Sequence, residues 1–542
     1  MTQVDTQKDW LLEGINPEST IEHVYAKTGF NLELIISKDS LRELAKRFLQ
    51  KGYFIECHAI VDYPDRFESC YQFNRWDKID RIQLKVKADK ANPHFPTISD
   101  IYKGANWYER EGYDMFGVIF DGHPNLTRLL LPENSKIHPL RKDFKPEEQP
   151  SDVEDVLKLM EYEDSLYEKE NPGSKKKFQK DYFINMGPQH PSTHGVLRLL
   201  LHLDGERVLD VTPVIGYSHR DHERMAEHKN YLQFTPNMGR MDYVGAMAFN
   251  FGYIGLIEKA MGISPSPRAE YIRVLSTELN RIASHLLWLG TYLLDLGAFT
   301  PFFYCFDDRE NILDMLEMLT GERLTYNFFR FGGVAFDLPE GFEPALKAFI
   351  PKMRGRLKDY KILIEKNIIF EKRTKEIGVL TKENAQSYGV TGPALRACGI
   401  SYDVRRAEPF SVYPEINFEI PTFPDGDTFS RYQVRLAEIE QSLRIAEQAI
   451  AKMPAGPIKG DKAPKTAPKI AAGQTYFAVE SARGHYGEYL VSDGSANPYR
   501  LKQRTPSYAN LSALPALLPG HLIADVVAIL GSIDVVMPEI DR

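Results

Sequence analysis

Apolar residues recur along this chain with two periods. Leu41, Leu44, Ala45 and Phe48 fall at i, i+3, i+4 and i+7, which predicts an amphipathic helix closed by Gly52. Strand-like runs begin at Tyr53, Phe67 and Ile79, and in the last Ile82, Leu84 and Val86 alternate with polar residues. Thr97 and Asp100 are spaced as a capping box for a second helix. Residues 1–145 are therefore expected to form a small α+β domain. From 146 to 180 the pattern lapses. Ten acidic and six basic residues leave few apolar anchors, which predicts a charged linker.

Residues 181–542 return to a helical period. Ser266-Pro267 is a helix start, the hydroxyl as cap and proline in the first turn. Ile272, Leu275, Leu279, Ile282, Leu286, Leu289 and Leu293 then form one long stripe. Leu436, Ile439, Leu443, Ala446 and Ile450 form another, ended at Met453-Pro454. Short strand-like pieces, TYFAV and EYLVSDG, lie in the last seventy residues. The expected fold is multidomain α+β: the small N-terminal domain, then a large, mainly α-helical domain with small β elements at its two ends. The apolar run 286–306 is long enough to span a membrane, but Asp295 and Pro301 argue against lipid. It reads as a buried core helix carrying one carboxylate.

Composition narrows the chemistry. The 542 residues carry a net charge of −8, with no basic footprint for nucleic acid. Four scattered cysteines form no Cys-x-x-Cys pair, which argues against a structural zinc, an iron–sulfur cluster or a disulfide framework on this chain. The first residues lack the basic and apolar regions of a signal peptide, so a reducing, cytoplasmic setting is expected. No phosphate-binding glycine loop or nucleophile elbow is present.

Histidine carries the information. His190, His194, His219, His222 and His228 lie within thirty-nine residues. The first two sit in Gly187-Pro-Gln-His-Pro-Ser-Thr-His-Gly195, where prolines and glycines forbid a regular helix and shape a loop. No carboxylate-anchored metal pattern accompanies them. Asp295, in apolar surroundings, requires a partner: a buried arginine or backbone N–H, or a histidine of this loop. A carboxylate–imidazole pair raises the histidine's proton affinity and fixes its tautomer. Tyr243, in Gly239-Arg-Met-Asp-Tyr243, is either a core tyrosine or a second proton donor.

The segments GPQHPSTHGVLRLLL, GYSHRDHERMAEHKNYLQ, GRMDYVGAM, PRAEYIRVLSTELNRIASHLLWLGTYLLDLGAFTPFFY, TGPALRACGISYDVRR, PTFPDGDTFSRYQVR and ESARGHYGEYLVSDGSANPYRLKQRTPSYANL resemble the D subunit of respiratory complex I, the proton-pumping NADH:quinone oxidoreductase. The likeness spans residues 181–542. WYEREGYDMFGVIFDGHPNLTRLLLPENSKIHPLRKDF resembles the C subunit, so the whole chain resembles a fused C/D subunit. The resemblance implies a [NiFe]-hydrogenase-large-subunit-like helical domain that reduces quinone as substrate. His194 and Tyr243 would bond the two quinone carbonyls, Asp295 would pair with His194, and His190 would line the cavity. Arg220 would lie beside the terminal Fe–S cluster of the neighbouring B subunit. NADH, FMN and the clusters would belong to partner subunits, with the I subunit and the membrane H and A subunits as further neighbours. The implied place is the cytoplasmic face of the bacterial inner membrane, as a peripheral subunit.

Three positions depart from the usual pattern: Asp221 where glycine is common, His222 beside it, and Val535 in place of proline. A hydrogenase reading needs two Cys-x-x-Cys pairs for its metal centre. The corresponding segments, 216–223 and 534–541, contain no cysteine.

Overall fold

A computed structural model describes residues 9–145, 181–190, 193 and 195–542; the expected linker and His194 lie outside the described residues. In the N-terminal part, strands β1 (Ser19–Glu22), β2 (Leu32–Ile36), β3 (Tyr53–Asp62), β4 (Arg66–Arg75) and β5 (Ile82–Asp89) form one sheet in the order β1-β2-β5-β4-β3. Helix α1 (Lys38–Gln50) crosses it, with Leu41, Leu44, Ala45 and Phe48 on its buried face as the spacing predicts. The capping box does not form. Helix α2 (Ala105–Phe116) starts later, with Gly104 at its N-cap. The Thr97 hydroxyl donates to the buried Glu109, and Asp100 pairs with Arg42 at 2.6 Å.

The larger part opens on a three-stranded antiparallel sheet: β6 (Asp181–Met186), β7 (Arg198–Asp204) and β8 (Arg207–Val214). Helices α3 (His222–His228), α4 (Ala246–Met261), α5 (Pro267–Asp295), α6 (Phe299–Thr320), α7 (Phe342–Glu365), α8 (Ile368–Thr374) and α9 (Thr428–Lys452) follow. A hairpin of β9 (Gly473–Ser481) and β10 (Gly484–Ser492) pairs onward with β11 (Arg500–Arg504), before α10 (Ile523–Ile533) and α11 (Met537–Asp541). Ser266 caps α5, its hydroxyl oxygen accepting from the Ala269 N–H at 3.3 Å, and the whole predicted stripe from Ile272 to Leu293 is buried. The run 286–306 is not one helix, however. The chain turns at Leu296-Gly297-Ala298, where Gly297 has φ +87°, and Asp295 is the last residue of α5, half-buried rather than deep in the core. Gly297 can take the left-handed conformation that ends a helix with little strain, and that overrides the continuity of the apolar run. No helix among the described residues is long and apolar enough to cross a membrane.

The two parts are welded by buried charge as well as apolar packing. Arg81, immediately ahead of β5, bonds Glu56 at 2.5 Å and reaches Glu408 of the larger part at 2.6 Å. Tyr25 also donates to Glu408, and Arg81 stacks on the Tyr476 ring. Glu56, Glu408 and His485 bring possible metal-ligand atoms together. Arg81 already bonds both carboxylates, and both ring nitrogens of His485 are hydrogen-bonded, to Tyr402 and Tyr476. A second lock joins Glu111 of α2 to Lys502 and Arg542. Buried ion pairs left half-broken are strongly destabilising, so parting the two halves would strand several charges at once. Cutting the chain anywhere within 146–180 is therefore expected to leave two pieces that co-purify. Co-expression of 1–150 with a tagged 175–542 checks this; two folded pieces that elute separately would show that the tether, not the interface, holds them.

Candidate functional site

The loop between β6 and β7 is built by its glycines. Gly187 has φ +100°, and a Cβ there would sit 1.9 Å from the Leu197 carbonyl oxygen, so no other residue fits. His190 and Gly195 face each other across an isolated bridge, and the Thr193 hydroxyl lies 2.8 and 3.0 Å from their two carbonyl oxygens. The loop is thus cinched at its base, with His190 exposed at its rim. At Gly195 a Cβ would meet the Met537 side chain at 2.9 Å, so the loop lies directly on α11.

Tyr243 stands on a turn ahead of α4, and its neighbour Asp242 shapes that turn. One Asp242 oxygen accepts the N–H groups of Val244 (3.2 Å) and Gly245 (2.9 Å). The other oxygen bonds the Arg483 guanidinium at 2.8 Å. A Cβ on Gly245 would fall 2.4 Å from the same carboxylate, which explains glycine there. Asn280 of α5 donates to the Val244 carbonyl at 2.9 Å and fixes the turn from the other side. The result is an outward phenol on a rigid base: Tyr243 is 39% exposed while Asp242 is fully buried. Partial burial pushes the Tyr243 pKa up, with Arg483 opposing, so the hydroxyl is a neutral donor at physiological pH.

Arg483, at the tip of the β9–β10 hairpin, was not singled out by the sequence. Besides Asp242 it meets Asp534 at 3.5 Å, at the end of α10, and Asp534 in turn lies 4.0 Å from Arg435 of α9. One buried guanidinium therefore ties the Tyr243 turn, the hairpin and the C-terminal helices together. Asp295 sits elsewhere. It lies fifteen residues beyond Asn280 on α5, about 22 Å along the helix axis. Asp295 and Tyr243 are thus placed by one helix but kept well apart.

Arg220 is exposed on the turn before α3. That turn is pinned from below by Asp541, whose carboxylate accepts the N–H groups of Gly216 (2.9 Å) and Ser218 (2.7 Å). The His219 ring bonds the Asp541 backbone carbonyl. Asp221 has φ +53°, a left-handed conformation that glycine adopts most readily and aspartate tolerates better than most. Its side chain caps α3 by accepting from the Arg224 N–H. Its departure from glycine is thus compensated locally. His222 is buried and held neutral by that burial, its pKa lowered to about 4. Glu223 is buried too, and Arg500 and Lys502 keep it ionised.

Residues 295–542 match the family described as the 49 Kd subunit of respiratory-chain NADH dehydrogenase, and residues 34–150 match its 30 Kd subunit. A fused C/D subunit of NADH-quinone oxidoreductase from Aquifex aeolicus is 38% identical over 584 aligned positions, covering 100% of this chain and 95% of that protein. The chain belongs to the C/D subunit family of NADH-quinone oxidoreductase. A C/D subunit from Gluconacetobacter diazotrophicus is 40% identical over 85% of this chain and 82% of its own length. The separate D subunit of Syntrophobacter fumaroxidans is 55% identical over 67% of this chain and 96% of its own length. In this family member the N-terminal part is thus covalently joined to a region that occurs elsewhere as a whole subunit.

The Asp242–Arg483 pair sets the position of Tyr243, so removing the guanidinium should harm both stability and geometry. Arg483→Met is expected to destabilise the chain by about 3–5 kcal/mol, because it leaves buried carboxylates unpaired. Tyr243→Phe, at a half-exposed position, should shift the denaturation midpoint very little. Urea titrations of both variants beside the parent check the contrast.

Proposed function

We propose that this subunit forms the quinone-reduction site of the peripheral arm of its oxidoreductase complex. In this reading residues 1–145 and 181–542 act as two joined units, and the helical part is [NiFe]-hydrogenase-large-subunit-like. The observation that carries the proposal is Tyr243: a neutral phenol, half open to the surface, on a turn locked by Asp242, Arg483 and Asn280. Quinone reduction consumes two electrons and two protons, and negative charge develops on the carbonyl oxygens as electrons arrive. Donors fixed where that charge forms stabilise it without reorganisation.

Tyr243 donates to one carbonyl oxygen and His194 to the other. Asp295 acts through His194, holding its tautomer and raising its proton affinity; its separation from the Tyr243 turn fits a residue that does not touch the same oxygen. His190 lines the cavity rim. Arg220, exposed on the turn before α3, faces the B subunit, whose Fe–S cluster supplies the electrons. NADH and FMN belong to other subunits. The I, H and A subunits surround the site at the cytoplasmic face of the inner membrane, and turnover is coupled there to proton translocation.

In the assembled complex, Tyr243→Phe should slow quinone reduction by about 10²–10³-fold, as loss of an oxyanion-hole donor does. Oxidation of NADH by an artificial acceptor that bypasses the site should be unchanged. Asp295→Asn should slow the reaction less than His194→Ala. If Tyr243→Phe lowers both activities equally, or neither, the phenol is not a donor to quinone.

A further inference from the structure

A cavity of about 10 Å³ lies on the seam between the two parts of the chain. Met115, Leu130 and Leu140 of the N-terminal part give it an apolar wall, and His219 and Arg542 of the larger part complete the lining beside them. Space of roughly 10–15 Å³ admits one water and nothing larger. Both polar residues have one atom left over. His219 Nδ1 lies 2.6 Å from the Asp541 backbone carbonyl oxygen, which can only accept. Nδ1 therefore carries the proton, and Nε2 of the neutral ring is an acceptor. That Nε2 is buried with no hydrogen-bond partner among the described residues. Arg542 gives its two terminal nitrogens to the Gln503 carbonyl (2.5 Å) and the Glu111 carboxylate (2.7 Å). Its Nε–H is likewise buried and unpartnered among the described residues. One acceptor and one donor thus belong to residues that share a single small cavity.

We propose that this cavity is a binding site for one structural water, which donates to His219 Nε2 and accepts from the Arg542 Nε–H. The lining selects a neutral molecule. Glu111, Asp221, Glu223 and Asp541 also border the cavity, so an anion would be repelled. A cation fares no better, because those carboxylates are already engaged. Lys502 and Arg542 hold Glu111, and Arg500 and Lys502 hold Glu223. Asp221 accepts from the Arg224 N–H, and Asp541 from the N–H groups of Gly216 and Ser218. A guanidinium N–H cannot ligate a metal, which leaves the imidazole as one ligand where several are needed. Water alone offers both a donor and an acceptor at this size. Its role follows from its two partners. His219 directly precedes Arg220, and Arg542 is bonded to Glu111 of α2. The water therefore continues the hydrogen bonding of the Arg220 turn into the seam, where burying those two atoms unpaired would be costly.

The test is a density map of the assembled complex at a resolution that shows ordered water. One water peak is expected at about 2.7–3.2 Å from both His219 Nε2 and Arg542 Nε. A cavity without density would overturn the proposal, as would a peak in contact with only one of the two atoms, or a direct bond from either atom to another side chain. Two variants then separate a held water from one that merely fills space. His219→Gln, whose amide can reach the position of Nε2, should keep the peak. His219→Phe fills the place of the ring but offers no lone pair, and should lose it. A peak that survives His219→Phe unmoved is not held by the histidine and would also overturn the proposal. If a variant does not assemble, the parental map decides. None of these outcomes depends on Tyr243 or on the quinone reading, which stands or falls on the activity measurements above.

Discussion

The buried contact between Arg483 and Asp242 is the constraint on which the candidate site depends. Asp242 uses one oxygen to accept two backbone N–H groups and so makes the turn; it gives the other to Arg483 and so anchors that turn to the β9–β10 hairpin. Arg483 reaches on to Asp534 and thereby to the C-terminal helices. Met537 of the same C-terminal stretch lies against Gly195 of the histidine loop. Two segments well separated in sequence are therefore held in register by elements from the far end of the chain. A phenol that must meet a developing charge gains from this rigidity, because a donor already in place loses little by being ordered.

The same use of buried charge recurs where the N-terminal part meets the rest. Arg81 with Glu56 and Glu408, and Glu111 with Lys502 and Arg542, are ion pairs that apolar packing of similar volume would rival in stability. Their geometry fixes one docking arrangement. This matters for Arg220, whose turn is held by Asp541 while Gly216 in the same turn packs on the Leu130 carbonyl of the N-terminal part. The exposed arginine is thus positioned by both halves of the chain.

Much of the fold was legible in the periodicity because long, strongly patterned helices bury one face whatever surrounds them. The stripe from Ile272 to Leu293 and the Ser266 cap are examples. Local signals misled where tertiary contacts prevailed: Thr97 and Asp100 have capping spacing, but Glu109 and Arg42 claim their side chains. The break after Asp295 lay inside a largely apolar run, marked by Gly297 and by Pro301 in the first turn of the next helix. Tyr243 was legible as a residue, whereas its support was not. Arg483 and Asp534 are single charged residues in unremarkable sequence, and only the fold shows that they meet behind the Tyr243 turn. The motif Arg-Met-Asp-Tyr held a clue in its Asp-Tyr-x-Gly pattern, since an aspartate two and three residues before free N–H groups favours a side-chain-capped turn.

The most direct test of this account is a structure of the assembled complex with quinone bound at a resolution that places the headgroup. Tyr243 is expected to lie within hydrogen-bond distance of one carbonyl oxygen, about 2.5–3.0 Å, with Arg483 still bonded to Asp242 and the second carbonyl facing the loop 187–196. A headgroup bound away from Tyr243, with the phenol packed against a neighbouring protein of the complex, would contradict it.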